Sequence, residues 1–99
     1  MATYTGKRIV HATLTANTVD TITLDGDYAS VEIVNRDGAA EIYATIDTTT
    51  APTVGGAGCD VLPAAIGSLT LDAPGYGPPT VVQLISTGTP AYTVKGLPR

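Results

Sequence analysis

The chain has 99 residues, of which 43% are hydrophobic, and this is enough for one core and one domain. Only 14% are charged, below the roughly 25% of an average globular chain, and the net charge is −4 with no cluster of cations. That excludes recognition of a nucleic-acid backbone, which needs grouped Lys and Arg, and no run reaches the ~18 apolar residues of a membrane span.

The segment from Met1 to Arg8 is short and polar, buries little, and is expected to be an N-terminal arm reaching a neighbouring subunit, with the single domain at residues 9–99. After Lys7-Arg8, His11, Thr13 and Thr15 interrupt the ~7 to 15 apolar residues that a signal peptide requires, so synthesis in the cytoplasm without export is expected. From Ile9 to Ala16 the even positions Val10, Ala12, Leu14 and Ala16 are apolar and the odd ones polar, which predicts a strand with one buried face. Val19 to Leu24 repeats the pattern with Ile22 and Leu24 inward, and Asp25-Gly26-Asp27 turns the chain. Tyr28 to Asn35 places Val31 and Ile33 on one face. Asp37-Gly38, residues that tolerate positive φ, then predict a hairpin into Glu41 to Asp47, where Ile42, Ala44 and Ile46 point inward.

Residues 48–58 are rich in Gly and Pro and predict a surface loop, long enough to cross from one sheet to another. A short strand at Asp60 to Leu62 ends at Pro63, and Ala64 to Gly67 has room for one helical turn at most. Ser68 to Ala73 alternates with Leu69 and Leu71 inward, and residues 74–79 break it. Thr80 to Thr87 is apolar on both faces, as for a strand that is either central and covered twice or covered on one side by a partner, and Gly88-Thr89-Pro90 turns into Ala91 to Lys95, with Tyr92 and Val94 on one face. About eight short strands with regularly spaced turns predict an all-β fold without a long helix. The expected form is an antiparallel Greek-key β-sandwich, either immunoglobulin-like or jelly-roll-like.

Little in the sequence points to chemistry. His11, the only histidine, falls on the outer face with no nucleophile or orienting carboxylate placed beside it. Cys59, the only cysteine, excludes an intrachain disulfide, and its neutral and acidic neighbours do not favour a thiolate. Asp25-Gly26-Asp27 matches two residues of a calcium loop and is read as a turn, and Gly55-Gly56-Ala57-Gly58 lacks the Lys-Ser/Thr of a phosphate loop. No catalytic, cofactor-binding or metal-binding residue is therefore assigned, and an enzyme is not expected. The candidate partner contacts are Tyr4, Lys7 and Arg8 in the arm and Tyr76, an aromatic among glycines and prolines that either anchors an interface or caps the sandwich.

The order of segments from Leu14 to Gly96 resembles small all-β virion proteins of tailed bacteriophages, especially those of actinobacterial hosts. The features that carry it are Asn35-x-Asp37-Gly38-x-x-x-Ile42-Tyr43, Pro52-Thr53-Val54-Gly55-Gly56, Leu62-Pro63-Ala64 and Ser86-x-Gly88-Thr89-Pro90-x-Tyr92. The nearest type is the capsid decoration or minor capsid protein. The resemblance implies a non-enzymatic protein on the capsid exterior, synthesised in the host cytoplasm, that binds the major capsid protein and stabilises the shell. It implies no cofactor and carries over no site residue. Self-association is a further option, and neither nucleic acid nor membrane is an expected partner. Two other readings stay open: a glycan-binding or adhesion module, which the absence of Trp disfavours, and a tail or head-tail connector component.

Overall fold

A computed structural model describes residues 3–26, 28–46, 52–56, 59–72 and 80–97. They form nine strands: β1 (Thr3–Lys7), β2 (Ile9–Thr13), β3 (Asp20–Leu24), β4 (Ser30–Asn35), β5 (Ile42–Ile46), β6 (Asp60–Leu62), β7 (Gly67–Asp72), β8 (Val81–Ile85) and β9 (Ala91–Leu97). No helix occurs among the described residues. A five-stranded sheet, in the order β1-β3-β8-β5-β6, packs on a four-stranded sheet, β2-β9-β4-β7.

The order has a simple origin. β2 pairs with β9, β3 with β8, β4 with β7 and β5 with β6, all antiparallel, so the chain from β2 onward is one long ribbon folded back between β5 and β6. Additional β4–β9 and β5–β8 pairing wraps this ribbon into two sheets. This is the winding of a jelly roll, one of the two sandwich forms that the sequence pattern allowed.

Alternation drives the strands together. In β3, β4 and β9 every second residue is buried, as a period of two requires when one face meets a core. Val10, Leu14, Ile22, Leu24, Val31, Ile33, Ile42, Ala44, Leu62, Val82, Leu84, Tyr92 and Val94 form that core, and each fully buried aliphatic side chain contributes about 1.5–3 kcal/mol relative to exposure. The inward residues expected in β2, β3, β4 and β9 are thus in place, whereas Ala16 is exposed because β2 stops at Thr13. Ile46, Leu69 and Leu71 are only partly buried against the core.

Three expectations are corrected. Residues 3–7 are not a free arm: they form β1, parallel to β3, with Thr3 opposite Thr21 and Tyr4 opposite Ile22. Backbone pairing along an open sheet edge needs little side-chain burial, so the polar character of the segment hid it. This strand raises the count from eight to nine. The connection after β5 does not cross between sheets, because β5 and β6 are neighbours in the same sheet.

Every other connection does cross, including the one at Asp37-Gly38, where a hairpin was expected; β4 belongs to the four-stranded sheet and β5 to the five-stranded one. Side chains and distant backbone hold this corner in place of a strand ladder. Buried Asn35 accepts from Gly38 N at 3.0 Å and donates through Nδ2 to Ala40 O at 3.0 Å and Pro63 O at 3.1 Å. Asp37 Oδ1 accepts from Ala39 N at 3.1 Å and Ala91 N at 3.2 Å. Gly38 has φ +67°, and a Cβ there would meet Ala65 Cα at 2.9 Å. The predicted turn residues and the strands they join are in place, but the two strands do not pair with each other. Ala64 to Gly67 bends without a helical turn, closed by Ala65 N donating to Pro63 O at 2.8 Å.

A candidate interaction face

Of the residues that the sequence offered as partner contacts, Tyr4, Lys7 and Arg8 are described and differ in their surroundings. Tyr4 is half-buried and packs against the core, whereas Lys7 is exposed at an irregularity in the β1–β3 register. Arg8 sits at the corner between β1 and β2. Its Nε donates to Gly96 O at 3.0 Å, and its carbonyl accepts from Gly96 N at 2.9 Å, so part of its hydrogen-bonding capacity holds the fold. Beside it the Tyr28 ring lies on Gly96, where a Cβ would come within 2.6 Å of Tyr28 Cδ2; the ring occupies the space that a larger residue at position 96 would need. Tyr28 donates to Asp25 Oδ1, and this bond together with burial raises the phenol pKa above its ordinary value. Tyr76 lies outside the described residues.

The remaining candidate groups are paired with neutral partners. His11 is exposed on the outer face of the four-stranded sheet, as the alternation predicted, and its Nδ1 shares a 2.7 Å hydrogen bond with Thr93 Oγ1. The Cys59 thiol donates to Thr53 O at 3.9 Å. Among the described residues, no three His, Cys, Asp or Glu side chains are grouped to hold a metal ion.

The distinctive surface is the outer face of the five-stranded sheet, where the register aligns residues from separate strands. Thr3, Thr21, Gln83 and Thr45 form one row across β1, β3, β8 and β5. Thr5, Thr23 and Val81 form the next, and Ile85, Tyr43 and Val61 a third. None of these side chains is charged. The opposite outer face of the molecule differs: there Lys95 stands opposite Glu32, and His11 and Asp72 lie on the same side.

The third row is an apolar end to this face. Ile85 is buried although it lies outside the core cluster, and Val61 is 42% exposed. In the second row from that end, Thr45 Oγ1 and Gln83 Oε1, on residues opposite each other in register, are buried without a hydrogen-bond partner, while Gln83 Nε2 donates to Thr21 Oγ1 at 3.4 Å. An unmade hydrogen bond at a buried polar atom costs about 1–3 kcal/mol. The alternation from Val19 to Leu24 marks a strand in the sequence, but the adjacency of Thr3, Thr21, Gln83 and Thr45 exists only in the folded register.

No family model matches this chain, and neither a curated protein nor a solved structure matches it.

Proposed function

We propose that this protein is a non-enzymatic structural component of a bacteriophage virion that docks on the outer surface of the capsid, against the major capsid protein, and reinforces the shell. Two things support the reading: the resemblance carried by the segments from Leu14 to Gly96, and the uncharged outer face of the five-stranded sheet. The face is the observation that carries it. Interface cores are depleted of Lys, Glu and Asp because desolvating a charge is costly, and the aligned rows of this face contain none of them, whereas Glu32, Lys95 and Asp72 stand on the outer face of the other sheet. Many copies on a lattice would gain avidity from modest individual contacts, and a net charge of −4 disfavours contact with packaged DNA.

Co-sedimentation of the purified protein with undecorated capsids of the same phage tests the reading, together with its copy number in purified particles. Saturable binding and a copy number matching the shell lattice are expected. A copy number matching the tail or the connector, with no binding to empty shells, would overturn it.

A further inference from the structure

We propose that β7 pairs antiparallel with β7 of a second copy of this chain, joining two four-stranded sheets into one continuous sheet across a two-fold axis. This inference concerns the isolated protein and does not depend on the capsid reading.

Edge strands left open invite pairing, and folded proteins usually blunt them. Here β1 is interrupted by a register shift between Thr5 and Lys7, and β6 is three residues long, bounded by Asp60 and Pro63. At β2 the inner side chain Val10 is already buried, as is Leu14 just beyond the strand. β7 has none of these features. It runs six residues in unbroken register with β4, contains no Lys or Pro, and carries one charge, at its end, Asp72. Its inward residues Leu69 and Leu71 are only half-buried, so the core is incompletely covered along this edge.

The hydrogen-bond phase fixes which backbone groups are available. Arg36 N donates to Ala91 O at 2.8 Å, so the even-numbered residues of β4 direct their backbone groups toward β9 and the odd-numbered ones toward β7. In β7, Gly67, Leu69 and Leu71 then face β4, and the N–H and C=O of Ser68, Thr70 and Asp72 face away from it. An antiparallel second copy satisfies all of them in one register, with Thr70 opposite its own counterpart and Ser68 opposite Asp72 of the other chain. In that register Leu69 lies opposite Leu71 of the second copy on the core side. Each Asp72 carboxylate faces a serine hydroxyl and not its twin, so no like charges are opposed. The strand is thus complementary to itself in charge, parity and length.

Sedimentation equilibrium over a concentration series is the test, with wild type, Thr70→Pro and Thr70→Lys. Proline at 70 removes an outward N–H that is not paired with β4, and lysine places two cations at the two-fold axis. The expected result is a doubled mass for wild type and single-chain mass for both variants, with unchanged β-type circular dichroism. Amide exchange of wild type provides a readout independent of the variants: Ser68, Thr70 and Asp72 are expected to be protected as well as Leu69 and Leu71. A single-chain mass for wild type throughout the series, a dimer that persists in the folded variants, or fast exchange at Ser68 and Thr70 would each overturn the proposal.

Discussion

The Tyr92 hydroxyl donates to Asp20 Oδ2 at 2.8 Å across the interior of the sandwich, linking β9 of one sheet to β3 of the other. Both residues are buried, and among the described residues Tyr92 is the largest fully buried side chain, in a chain with no Phe or Trp. A buried tyrosine needs a partner for its hydroxyl, and a carboxylate provides a strong one. Replacing Tyr92 by Phe keeps the packing but removes that bond from a buried carboxylate. The expected loss is about 1.5–3 kcal/mol in urea denaturation, and a loss below about 0.5 kcal/mol would show that the bond contributes little.

The same pair predicts a decline in stability at alkaline pH. Burial, followed by the hydrogen bond and charge of Asp20, raises the Tyr92 pKa far above its ordinary value. Below about pH 10 the phenol is protonated in both folded and unfolded chains, and this contribution to stability is complete. Above that pH the unfolded chain releases the proton and the folded chain keeps it, so stability falls by up to about 1.4 kcal/mol per pH unit until the folded-state pKa is reached. Tyr92→Phe removes this component. Urea midpoints at about pH 8 and about pH 11 should therefore differ more for wild type than for the variant.

The crossover from β4 to β5 depends on Asn35 and Gly38. Asn35→Asp replaces an amide donor facing Ala40 O and Pro63 O with a carboxylate, so repulsion from both carbonyls is expected to destabilise the corner by roughly 2 kcal/mol or more at neutral pH. Acidification that protonates the new carboxyl should recover part of that loss. Equal destabilisation at both pH values would argue against the repulsion.

Gly38→Ala should also destabilise, by about 1–3 kcal/mol, because both the positive φ and the approach of the Ala65 backbone oppose a Cβ. Thermal unfolding of this variant beside Gly55→Ala separates the two causes. Gly55 has a similar φ of +71° but nothing within 4 Å of its Cβ position, so the larger fall in melting temperature is expected at position 38.

If the uncharged face of the five-stranded sheet meets the capsid, Thr5→Glu, at an exposed position of that face, should weaken capsid binding at least tenfold by forcing a charge into a dry contact, with folding stability changed by less than about 0.5 kcal/mol. Glu32→Gln on the opposite face is the control and should bind as wild type does. Loss of binding in the control alone would move the contact to the four-stranded sheet.

Much of the architecture was legible from local pattern. The alternation around Val31 and Ile33, or Tyr92 and Val94, fixes which side chains turn inward, because successive Cβ atoms of an extended chain must point to opposite faces. That reasoning gave the β class, most of the strands and the outward position of His11. Strand neighbours are a different matter, since a backbone ladder is nearly independent of side-chain identity. Asp37-Gly38 specifies a turn but not whether the next strand returns alongside or crosses to the other sheet; the contacts of Asn35 with Ala40 and Pro63 decide that. Thr3 beside Thr21, Asp20 beneath Tyr92 and the open edge of β7 arise in the same way. The sequence by itself determined an all-β chain with its inward and outward residues. Only the tertiary structure decided the jelly-roll winding, the uncharged face and the free edge, because these depend on hydrogen-bonded register between segments far apart in the chain.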